Sequence, residues 1–107
     1  MEARPKNAPI ESGRTVDVAA ILPDDVWESL QAILPDRHGQ DYSSISNRTV
    51  LAALIYLRAH GKPLAYVPPS FGVSRRTLHE RRLRWTRSGH WPAIESAIAE
   101  QAMKIGR

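Results

Sequence analysis

The sequence predicts an all-α protein, a small helical bundle containing a helix-turn-helix. Three observations lead there. Apolar residues recur at i, i+3/i+4, i+7 in several stretches, the spacing of a helix with one buried face. Prolines and glycines stand at the borders of those stretches. A turn-forming run, Phe71-Gly72-Val73-Ser74, directly precedes an arginine-rich segment. The 107 residues suit one domain, and 42% hydrophobic with 24% charged residues is ordinary for a globular chain.

Residues 1–20 carry Pro5, Pro9 and Gly13, mixed charge and no apolar period, which predicts a flexible N-terminal tail. Arg4, Lys6 and Arg14 would let that tail touch DNA as an arm, or it is simply solvated. The helical domain is expected over 21–107. Its first helix is predicted over 23–34: Pro23 suits a helix start, Asp24 and Asp25 oppose the positive end of the dipole, and Pro35 stops it. Val26, Trp27, Leu30, Ile33 and Leu34 form its buried face. Residues 36–44 read as a polar loop. Ser46 is a good N-cap for a second helix that ends at Gly61. This helix is apolar over a wide arc (Val50, Leu51, Leu54, Ile55, Leu57) and therefore central. Residues 64–69 allow one or two turns before Pro68 and Pro69 break them. Another helix is expected from Arg75 to about Ser88, closed by Gly89. A last one is expected from about Pro92 to Ile105, with Ile94, Ile98, Ala102 and Ile105 as its apolar stripe.

Several function classes are excluded or disfavoured at this level. Without cysteine there is neither a disulfide nor a thiolate metal site, and the four histidines include no i, i+4 pair, so no metal site is expected. The longest apolar run, Val50 to Leu57, is too short for a bilayer, and no secretory leader pattern opens the chain. A cytoplasmic protein is expected, with the bacterial nucleoid as its location, and no cofactor or small-molecule ligand is indicated. The charge is unevenly placed. Six arginines (75, 76, 81, 82, 84, 87) against the single acid Glu80 give residues 75–88 a charge of +5, while the whole chain carries +4, so everything else nets −1. A concentrated basic stripe fits a polyanion partner, here double-stranded DNA.

A helix-turn-helix needs a short supporting helix, a tight turn relieved by glycine, and a capped second helix. Gly72 can supply the turn, Val73 an apolar plug and Ser74 the cap. Leu78 and Trp85, seven apart, belong to the core. Arg75, Arg76, His79 and Glu80 occupy the first exposed turns, where side chains of a docked helix reach base edges. An arginine fork matches guanine, and a glutamate accepts from cytosine N4. Ser74, Arg81, Arg84 and Arg87 are assigned to the phosphate backbone. Arg82 falls between Leu78 and Trp85 on the wheel, while Leu83 points away. Either its stem runs along the core edge or Leu83 meets a partner.

With these residues placed, the chain resembles the N-terminal DNA-binding domain of bacterial insertion-sequence DDE transposases, from Ile21 to about Trp91. The resemblance rests on Leu22-Pro23-Asp24-Asp25-Val26-Trp27-Glu28, Leu34-Pro35, Arg48-Thr49-Val50-Leu51, Leu57-Arg58 with Gly61, Phe71-Gly72, Thr77-Leu78-His79-Glu80-Arg81, Trp85 and Gly89-His90-Trp91. It departs from that family's pattern at Pro23, where a hydroxyl cap is usual, at residues 64–67, and at Arg82, where an aromatic is usual. The resemblance implies a catalytic domain bearing three metal-binding carboxylates, and no such constellation is legible before Arg107. The expectation is a non-enzymatic, sequence-specific DNA binder that regulates transcription by occupancy. Two alternatives stay open: a truncated or accessory transposition protein on insertion-element ends, and a protein-interaction module docking an acidic partner. The stripe Ile94, Ile98, Ala102, Ile105 raises a homodimer through the C-terminal helix if exposed, or a completed monomer core if folded back.

Overall fold

Ser46 begins the element around which the rest is arranged. In the computed structural model, which describes residues 17–35 and 46–106, Ser46 Oγ accepts from the Thr49 N–H at 3.2 Å. This satisfies one of the N–H groups that a helix start leaves open. The helix that follows, Asn47–Ala59 (α3), buries Val50, Leu51, Ala52, Ala53, Leu54, Ile55 and Leu57. Burial on so many sides makes it the hub, as its wide apolar arc predicts. The expected arm residues Arg4, Lys6 and Arg14 and the expected loop over 36–44 lie outside the described residues.

The chain enters through a single helical turn, Val18–Ile21 (α1), where the sequence reading continues the tail to Ala20. Its reason is tertiary. Leu22, just after it, is fully buried, and two side chains distant in sequence hold the carbonyls at its end. Gln101 Nε2 donates to Ile21 O at 3.1 Å, and Arg48 Nη2 donates to Leu22 O at 2.7 Å. The same Nη2 reaches Asp24 Oδ1 at 2.8 Å.

Asp24–Gln31 (α2) starts with Pro23 as N-cap, which makes no side-chain cap bond. It ends before the predicted Leu34. Ile33 N bonds Leu30 O at 3.0 Å and Leu34 N bonds Gln31 O at 3.2 Å, the i+3 tightening that closes a helix as Pro35 disfavours helical torsions at the residue before it. Leu30 and Leu34 are still buried.

After α3, Gly61 adopts φ 63, and two 3₁₀ turns follow, Leu64–Tyr66 and Pro69–Phe71. The second is pinned by Phe71, buried with its ring centroid 5.4 Å from that of Tyr56. Arg75–Arg87 (α4) and Trp91–Ile105 (α5) complete the bundle. No strand occurs among the described residues.

The stripe of α5 takes the second of its two expected arrangements, with Ile105 partly buried beside the rest. Ile94, Ile98 and Ala102 are buried, and the contact of α5 with α3 is the most extensive between any two elements. Burying an isoleucine contributes about 1.5–3 kcal/mol, so the stripe folds back and completes the protomer's own core. The ground for a homodimer through this stripe, its exposure, is removed. Met103, 72% exposed, is the large apolar side chain that α5 leaves in solvent. It borders a shallow groove lined also by Arg58, Ala59, Ala99, Ala102 and Gly106.

Candidate nucleic-acid interface

Three residues deliver the chain into α4. Gly72 sits at φ 70, ψ 21, and a Cβ there would meet nothing within 4 Å. Its torsion alone therefore calls for glycine. Val73 is buried beneath the turn. Ser74 is extended, at φ −90, ψ 162, which aims its Oγ back to accept from Thr77 N at 3.1 Å. Its hydroxyl donates to Thr77 Oγ1 at 3.2 Å. Turn, plug and cap thus take the torsions and burial their residue types predict. What precedes them is the pair of 3₁₀ turns in place of a supporting α-helix, because Pro68 and Pro69 deny a longer run its backbone bonds.

The helix then sorts its arginines. Its buried residues are Leu78, Arg81 and Trp85, spaced i, i+3, i+7. Arg75, Arg76, His79, Glu80, Arg84 and Arg87 are exposed, as is Ser74 at the entry. Arg76, Glu80, Arg84 and Arg87 follow i, i+4, i+8, i+11 and so share one outward line. Arg76 Nε donates to Glu80 Oε2 at 3.2 Å along that line. Seven of the eight sequence-chosen residues are therefore on the exposed side of α4 or at its entry.

Arg81 is the exception and corrects its assignment as a phosphate contact. Only 5% of it is exposed, and its Nη1 donates to Asn47 Oδ1 at the start of α3. A guanidinium committed inside the domain is not on the face offered to a ligand. A signal for this was present: Arg81 lies three residues after Leu78 and four before Trp85, inside the buried arc. Its acceptor, 34 residues upstream, had no such signal.

Arg82 is resolved as well. It is half-buried, with its guanidinium carbon 6.0 Å from the Trp91 ring centroid. That ring stacks on Trp85 at 6.5 Å with 12° between planes. The arginine stem runs along the core edge, the first of the two expected arrangements. The basic surface of α4 therefore consists of Arg75, Arg76, Arg84 and Arg87, fewer than the six arginines of the segment.

One flank went unread in the sequence. Tyr66, 62% exposed, has Lys62 Nζ 5.2 Å from its ring centroid, and the 3₁₀ turn bearing it packs against α4. A cation and an aromatic thus stand beside the arginine helix.

Among the described residues, no group of three or more histidines and carboxylates is placed to hold a metal ion. No helix among them is long and apolar enough to cross a membrane.

Comparison with known families gives a match over most of the described residues. The family model described as "Putative transposase of IS4/5 family (DUF4096)" covers residues 22–95. That span runs from the buried Leu22 through α4 into the first turn of α5. No curated protein and no solved structure matches the chain.

Proposed function

The chain belongs to the DUF4096 family of IS4/5-type transposases, and from that premise we propose that it is a sequence-specific binder of double-stranded DNA. The observation that carries the reading is the sorting of α4. A helix entered through Gly72, Val73 and Ser74 buries Leu78 and Trp85 and turns Arg75, Arg76, Arg84 and Arg87 outward. Arg75, Arg76, His79 and Glu80, in the first turns, would read base edges from the major groove. Arg84 and Arg87, further along, would hold phosphates, with Ser74 at the helix entry. Family membership favours insertion-element ends as the bound duplex. A promoter-binding regulator acting by occupancy is the other form of the same activity. Either activity would place the protein on the nucleoid.

The test is the affinity for duplex DNA as a function of salt. Neutralising three or four phosphates gives a slope of log affinity against log salt of about −3. A slope near zero would overturn the reading and favour docking of an acidic protein instead. Genome-wide mapping of bound DNA then separates the two forms, element ends against promoters.

A further inference from the structure

Glu80 is the one acid among six arginines in residues 75–88, and its carboxylate is already engaged. It accepts from Arg76 Nε at 3.2 Å, with the two side chains 83% and 62% exposed. An ion pair so open to water contributes little to the fold, so stability does not account for it. Its geometry has another consequence. A guanidinium can present two parallel donors either side-on, through Nε and one Nη, or end-on, through both Nη atoms. Glu80 occupies Nε. The end-on fork is the one left to Arg76, and the pairing restrains a long, mobile stem before any ligand arrives, which lowers the ordering cost of a contact.

The charge of Glu80 acts in the opposite direction. A carboxylate brought against a duplex meets phosphates and electronegative base edges, and it is desolvated at a cost unless a donor faces it. In the major groove the cytosine N4 amino group is such a donor, and guanine O6 with N7 is the acceptor pair that fits the end-on fork. Resting on the DNA-binding reading above, we propose that Glu80 is a specificity-determining residue: it holds Arg76 for end-on contact with a guanine, accepts from a neighbouring cytosine, and penalises duplexes that offer neither. Discrimination then comes partly from attraction to the right sequence and partly from repulsion by the wrong ones.

The test uses the 107-residue chain and a duplex it enriches from a random-sequence library. Affinities of the wild type, Glu80→Gln, Arg76→Ala and the double variant are measured for that duplex and for a scrambled duplex of equal length. Thermal melts verify that each variant is folded. Glu80→Gln is expected to lose about tenfold on the enriched duplex and to gain roughly threefold on the scrambled one. Only the cytosine contact of Glu80 is independent of Arg76, so the double variant should lose less on the enriched duplex than the two single losses combined. Placing 7-deazaguanine, which lacks the N7 acceptor, at the contacted position should weaken the wild type more than Glu80→Gln. Equal tightening of Glu80→Gln on both duplexes, or additive effects of the two substitutions, would overturn the proposal and leave sequence-specific binding standing. Failure of the wild type to enrich any duplex would overturn that binding reading, and this inference with it.

Discussion

The helices α3 and α4 are built on the same local plan and have opposite fates. Each has 13 residues. Each starts with serine and threonine three apart, Ser46 with Thr49 and Ser74 with Thr77, and the serine oxygen caps the threonine N–H at 3.2 and 3.1 Å. Each carries an arginine at its second position, Arg48 in one and Arg76 in the other. Arg48 turns inward to Leu22 O and Asp24 and is 25% exposed. Arg76 stays in solvent beside Glu80. Local sequence decides that a helix starts; the company across the fold decides whether its arginines become structure or surface. Arg81 crosses between the two, an arginine of the outer helix spent on Asn47 of the inner one.

That contrast can be broken most readily at the crossing point. Arg81→Ala is expected to lower stability by about 1.5–3 kcal/mol, the range for losing hydrogen bonding to a charged group, measured by denaturant unfolding. The salt slope of DNA binding should stay as in the wild type. A folded variant of unchanged stability and a shallower slope would mean that Arg81 faces DNA.

The matched arginines give the next largest effect. Arg48→Ala should cost about 1–2 kcal/mol of stability through its lost bonds to Leu22 O and Asp24; the loss is limited because its buried Nε has no hydrogen-bond partner among the described residues. Arg76→Ala should stay within about 0.5 kcal/mol in stability while losing about tenfold in affinity for a selected duplex. Thermal melts beside binding isotherms read both, and the contrast fails if the two variants behave alike.

The shared caps sharpen it further. Ser46→Ala and Ser74→Ala should each cost about 1 kcal/mol, because the bonds removed are the same. Their effects on DNA affinity should differ, with Ser74→Ala alone weakening it. The smallest stability effect belongs to Arg87→Ala, which should be neutral to folding. Its binding to every duplex should weaken about equally, with a salt slope shallower by about 1.

The same contrast separates what local sequence carries from what only the fold decides. The caps at Ser46 and Ser74, the turn at Gly72, the central rank of α3 and the outward line of Arg76, Glu80, Arg84 and Arg87 are local or periodic, so sequence carries them. The turn at Val18–Ile21 was not legible, because Gln101 and Arg48 secure it from 80 and 26 residues away. The burial of Arg81 needed its partner Asn47. The α5 stripe was legible as a stripe, while its burial depended on how α5 meets α3. Arg82 was flagged by its position on the wheel, but the Trp91 ring that receives it became visible only in three dimensions.

Whether duplex DNA meets the exposed line of α4 is read by amide chemical-shift mapping on titration with a selected duplex. The largest shifts are expected at Ser74 to Glu80 and on through Arg84 and Arg87, with the buried stretch Val50 to Ile55 of α3 little changed. Shifts centred on the groove between the ends of α3 and α5, around Arg58 and Met103, with α4 unperturbed, would contradict that docking.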